Sequence, residues 1–147
     1  MSRTMVTFNK KAQFNYNLFE RVEVGIALNG GEVKAIRGGK ADLSNSYAKI
    51  IENEIYLVNA NIPVDGKKDY TPTRTRKLLL HKNEITTIKS KIKAKKLTLV
   101  PTKLYTKGSL IKAEIALAKS KREFEKKESI KRKDIERDLE RELRVKE

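Results

Sequence analysis

Cysteine is absent from this chain of 147 residues, and histidine occurs once, at position 81. The first absence excludes disulfides, thiolate chemistry and cysteine metal sites. The second leaves no His-bearing metal spacing, and neither a Gly-x-x-x-x-Gly-Lys phosphate loop nor a Gly-x-Ser-x-Gly elbow occurs. No apolar run approaches the length of a membrane span, and the N-terminus lacks the apolar core of a signal peptide. A cytoplasmic protein without membrane, metal or cofactor is expected. Acids are in deficit as well, 19 against 34 Lys and Arg, for a net charge of +15.

An excess of that size favours a polyanion as partner and carries no information about fold. With no membrane-insertion element, that partner is read as RNA. The charge is unevenly spread: residues 1–120 hold 23 basic and 10 acidic residues, while 121–147 hold 11 and 9. The length suits one domain that buries a core, plus an appendage. The expected division is a body over 1–120, with 1–8 as a flexible start, and a tail over 121–147.

Val22, Val24, Ile26 and Leu28 alternate with Glu23, Gly25 and Ala27, the period of a half-buried strand. Asn29-Gly30-Gly31 breaks it, and 32–37 reads as a short helix stopped by Gly38-Gly39. Residues 47–51 and 54–58 flank Glu52-Asn53 as a hairpin. Residues 63–69 form a polar loop. From Thr73 to Lys93 the spacing reads as a helix with Leu78, Leu79, Ile85, Ile88 and Ile92 on one side. Segments 97–105 and 110–118 form a second hairpin around Thr106–Ser109. This order predicts a mainly β fold with short helices, an oligonucleotide-binding-like closed antiparallel barrel. In the tail, Ile135, Leu139 and Leu143 make a narrow apolar stripe. Four acid-before-base pairs there, such as Glu123/Lys127, add about 0.2–0.5 kcal/mol each to a helix. The tail is expected to be partly disordered alone and helical on a partner surface.

The densest chemistry lies in Pro72-Thr73-Arg74-Thr75-Arg76-Lys77-Leu78-Leu79-Leu80-His81-Lys82. Arg74, Arg76 and Lys77 are the sharper cations, because Arg forks onto phosphate and stacks on bases. The Lys89–Lys96 run supplies diffuse electrostatics. His81 suits packing or RNA contact better than catalysis. The glycine pairs admit a close phosphate approach, though helix-flanking turns account for them too. Tyr16, Phe19, Tyr47, Tyr56, Tyr70, Tyr105 and Phe124 are the aromatics available for stacking. Most suit a core, whereas Phe124 sits among charges with no core to receive it.

Four blocks resemble the SsrA-binding protein (small protein B) family. They are Asn9–Ala12, Val24–Lys40, Asn45-Ser46-Tyr47 and Pro72–Lys82; 98–101 and 130–134 follow in the same order. The resemblance implies an oligonucleotide-binding-like barrel on the tRNA-like part of transfer-messenger RNA. It also implies entry into stalled ribosomes for trans-translation, delivery with elongation factor Tu–GTP, a monomeric protein, and a tail in the empty mRNA channel near the decoding centre. The family's RNA-binding positions fall on Glu23, Leu79 and Lys112, with Asn9, Lys10, Lys11, Lys34, Arg37, Arg74, Arg76, Lys77 and His81 assigned to the same face. In the tail, Phe124 aligns with the aromatic or histidine that the family uses against the decoding centre. Lys121, Arg122, Lys126, Lys127, Lys131, Arg132 and Lys133 would line ribosomal RNA. Ser120 stands where the family has a hinge glycine.

The reading is therefore a non-enzymatic RNA-binding protein of ribosome rescue. The alternative is a ribosomal RNA-binding or ribosome-assembly protein; a second rival is an enzyme acting on RNA through His81.

Overall fold

The computed structural model describes residues 5–122 and Arg137. The elements are β1 (Val6–Phe8), α1 (Lys10–Asn15), β2 (Tyr16–Ile26), α2 (Gly30–Arg37), β3 (Tyr47–Ile51), β4 (Glu54–Val58), β5 (Arg76–Leu79), α3 (Lys82–Lys95), β6 (Thr98–Lys107) and β7 (Leu110–Ser120). The strands make one antiparallel sheet in the order β1-β6-β7-β2-β5-β4-β3.

Period-2 alternation sends Val24 and Ile26 of β2, Ile55 and Leu57 of β4, Leu78 of β5 and Ile115 of β7 into one core. Ile36 of α2 and Ile85 and Ile88 of α3 join that cluster. At about 25 cal/mol per Å2 of apolar surface removed from water, such burial is the main favourable term in the fold. The two predicted hairpins form. Glu52 and Asn53 both adopt positive φ, 49° and 66°, as a two-residue turn whose twist matches the strands requires. Gly108, at φ 61°, turns β6 into β7.

The expected closed barrel is corrected: the sheet is open. Among the described residues no ladder joins β3 to β1 or β6. Helix α1 packs Ala12 against Val100 and Ala118. A polar cleft lined by Lys11, Asn15, Ser44, Asn45, Tyr47 and Thr98 stands where a closing ladder would run. Of the expected flexible start, Val6–Phe8 pair with 103–105 and Met5 N donates to Thr106 Oγ1 at 3.0 Å, while residues 1–4 lie outside the described residues.

The helix expected from Thr73 begins only at Lys82. Arg76 and Leu78 point inward while Lys77 and Leu79 point outward, so 76–79 is a strand. A leucine triplet satisfies both the 3.6 and the 2.0 period, and here the ladder to β2 and β4 decides. Glu84 marks the true helix start, its Oε1 accepting from His81 N at 3.2 Å.

A buried ionic cluster ties α2 to this segment. Glu32 and Arg76 are both fully buried, and Arg76 Nε donates to Glu32 Oε2 at 2.7 Å. The remaining Arg76 nitrogens donate to Ala60 O at 2.6 Å, Pro72 O at 2.8 Å and Tyr70 Oη at 2.9 Å. Arg74 forks onto the same carboxylate, with its Nε at 2.9 Å from Oε2. Asn29 N donates to Glu32 Oε1 at 3.0 Å in a capping box. Burial alone would raise the Glu32 carboxyl. The hydrogen bonds from Arg74, the Asn29 N–H, Arg76 and Tyr70 prevail and hold it down at about 2.

Candidate nucleic-acid interface

The face of the sheet opposite the core carries the polar chemistry. Strand register sets it out in rows. Val6, Tyr105, Lys112, Gly25 and Leu79 stand side by side across β1, β6, β7, β2 and β5. The next row holds Phe8, Lys103, Glu114 and Glu23. Glu23, Leu79 and Lys112 thus come from three strands onto one patch, although they lie far apart in sequence.

Glu23 is an anchored carboxylate. Tyr105 Oη donates to its Oε2, and Lys107 Nζ donates to its Oε1 at 3.1 Å. The Tyr105 hydrogen bond, then the Lys107 hydrogen bond and the charges of Lys107 and Lys112, hold the carboxyl below its ordinary range. Burial and the facing carboxylate push the Tyr105 phenol up, so it remains a donor. The unused carboxylate lone pairs are free to accept from base N–H groups. Lys112 and Lys107 beside them offer charge to phosphate.

Leu79 is 51% exposed, and its side chain lies against the bare Cα of Gly25. A half-exposed leucine between cations gives an apolar surface for a ribose or base edge. Lys77 extends this face, with its Nζ 3.6 Å from Glu54. Arg37 reaches the β6–β7 turn, where its Nη2 donates to Ser109 O at 2.9 Å. Lys34 is exposed on α2, and Lys10 and Lys11 are exposed on α1. Lys11 Nζ lies 3.5 Å from Asn45 Oδ1. His81 is exposed at the start of α3.

Two expected contacts are corrected. Arg76 is inside the protein, every nitrogen of its guanidinium committed to protein oxygens, so it braces the fold. Asn9 is also buried: it caps α1, its Nδ2 donates to Pro101 O at 2.8 Å, and its N donates to Thr102 O at 2.8 Å. Arg74 is partly exposed, yet its fork is occupied by Glu32. In the tail, Lys121 N donates to Asn15 O at 2.9 Å, and Arg122 follows it. Phe124, Lys126, Lys127, Lys131, Arg132 and Lys133 lie outside the described residues.

Sequence reasoning missed Lys103 and Lys107, and Phe8 at the edge of the same face. The signal was present: residues 103, 105 and 107 share the period-2 face of a hairpin whose other strand carries Lys112.

The family model described as SmpB protein matches residues 6–145. The chain is 45% identical over 144 residues to the SsrA-binding protein of Malacoplasma penetrans, covering 96% of this chain and 99% of that one. It is 41% identical to the SsrA-binding protein of Chloroflexus aggregans, covering 95% and 91%. A solved structure described as "tmRNA-SmpB: a journey to the center of the bacterial ribosome" is similar with a TM-score of 0.66 at 40% identity, covering 85% of this chain and 94% of that one.

Proposed function

The chain belongs to the SmpB protein family, and from that premise we propose that the outer sheet face is its grip on transfer-messenger RNA. The protein binds that RNA and acts with it on the ribosome in trans-translation, in keeping with relatives named for SsrA binding and a neighbour solved as a tmRNA–SmpB ribosome complex.

Each part of the face has one job. Glu23 is fixed by Tyr105 and Lys107 so that its lone pairs meet base edges without reorganising. Lys112, Lys107 and Lys77 neutralise phosphates, and Leu79 supports a sugar or base. The observation that carries this reading is the single row Lys112–Gly25–Leu79 beside the anchored Glu23. Phosphate contacts supply affinity and register; an acceptor held among cations supplies discrimination.

The remaining parts of the reading rest on family resemblance. Residues 1–120 form the RNA-binding body, and 121–147 enter the empty mRNA channel with Phe124 near the decoding centre. Elongation factor Tu–GTP accompanies the complex, and the protein works as a cytoplasmic monomer without catalysis of its own. Among the described residues no helix is long and apolar enough to cross a membrane.

Two measurements test this. In a mobility-shift titration the protein should prefer transfer-messenger RNA over bulk ribosomal RNA; equal affinity would favour a ribosome-assembly role. Ending the chain after Arg122, which spares the β2–β7 ladder that runs to Ser120, should leave RNA binding intact and abolish tagging on stalled ribosomes. Equal loss of both would make the tail part of the grip.

A further inference from the structure

We propose that Phe8 is a base-stacking residue that carries the RNA interface onto the edge strand β1, and this rests on the outer sheet face being the RNA surface. Phe8 is 60% exposed although it lies in a paired strand. It opens the row Phe8–Lys103–Glu114–Glu23, so it stands on the same face as the anchored carboxylate.

Its position is rigid. The next residue, Asn9, is buried and holds Thr102 O, Pro101 O and the Ala12 N–H at once. On the other side, Met5 is tied to Thr106 through backbone and side chain. The ring is therefore presented from a fixed backbone, and little chain entropy remains to be lost when a ligand lies on it.

Its neighbours select the ligand. Lys103 is its cross-strand partner, with its Nζ 5.2 Å from the Tyr105 ring. Lys10 is exposed at the start of α1. An aromatic plane flanked by cations fits an unstacked base whose phosphates lie on the lysines. Lys103 Nζ keeps one carboxylate at the edge of reach, Glu114 Oε1 at 4.0 Å, so the phosphates of a nucleic acid would add to its neutralisation where an apolar partner would not.

The chain contains five tyrosines and no tryptophan, so Phe8→Trp in the full-length protein creates a single tryptophan at the proposed contact, excited selectively at the red edge of indole absorption. Titrated with the tRNA-like domain of transfer-messenger RNA, its emission should be quenched, with saturation at the affinity read by mobility shift. Phe8→Ala and Phe8→Leu should both bind about 5- to 150-fold more weakly, the range typical of one lost base stack; Phe8→Tyr should bind natively. Unquenched emission at saturating RNA, or native affinity for the Leu variant, overturns the inference. Lys112→Ala separates the two levels. If it binds weakly while Phe8→Ala binds natively, only the Phe8 inference falls; if both bind natively, the sheet-face reading falls with it.

Discussion

Gly25 lies directly opposite Leu79, and a methyl group added at Gly25 would sit 3.2 Å from the Leu79 Cβ and 3.3 Å from its Cδ1. The bare Cα of Gly25 is what lets the exposed Leu79 side chain lie over β2, in the same row as Lys112. Gly25→Ala should push Leu79 outward by a few tenths of an ångström. Leu79 is exposed, so melting should change by less than about 1 kcal/mol. Affinity for transfer-messenger RNA should fall severalfold, as read by titration. Unchanged affinity would remove Leu79 from the interface.

Glu32→Gln removes the charge that two arginines share. Arg76 is fully buried, so it would be left uncompensated inside the protein, at a cost of about 3–5 kcal/mol. Denaturant unfolding should show that loss. A cost below about 1 kcal/mol would mean that Arg76 finds another acceptor.

Parts of this fold were legible residue by residue. The hairpin at 47–58 emerged with its ends in place because its β-branched runs and two-residue gap admit one register. Segment 76–79 was misread because three leucines satisfy a helix as well as a strand, and the choice is made by β2 and β4, distant in sequence. Arg76 was misassigned for a related reason: an arginine beside other cations reads as surface, while its carboxylate partner lies 44 residues earlier on another element. Helix α1 has six residues, too few for periodicity to register. Glu23, Leu79 and Lys112 come from family resemblance, and only strand register shows that they share one face of the sheet.

Acid should expose the Glu32 cluster. Its folded pKa of about 2 lies below the ordinary carboxyl value of 4.5. A depressed folded pKa means stability that is complete above about pH 4.5 and lost as pH falls from there towards 2. The shift corresponds to about 3 kcal/mol. Unfolding free energy measured across that window should drop by this amount in the native protein and stay flatter in Glu32→Gln. Parallel curves would place the acid sensitivity elsewhere.

Tyr105→Phe removes the principal hydrogen bond to Glu23 and leaves the ring in place. The Glu23 carboxyl should then titrate at higher pH, measurable by NMR. RNA affinity should fall without loss of melting temperature. An unmoved Glu23 titration would assign its low pKa to Lys107 and Lys112.

The most direct test of the sheet-face grip is the salt-dependent affinity of the full-length protein for transfer-messenger RNA, compared with Glu23→Ala, Leu79→Ala and Lys112→Ala. All three should bind tenfold or more weakly with native melting behaviour. Lys112→Ala alone should also flatten the salt slope by about one unit, the mark of one lost phosphate contact. Native affinity and slope in all three would contradict the account.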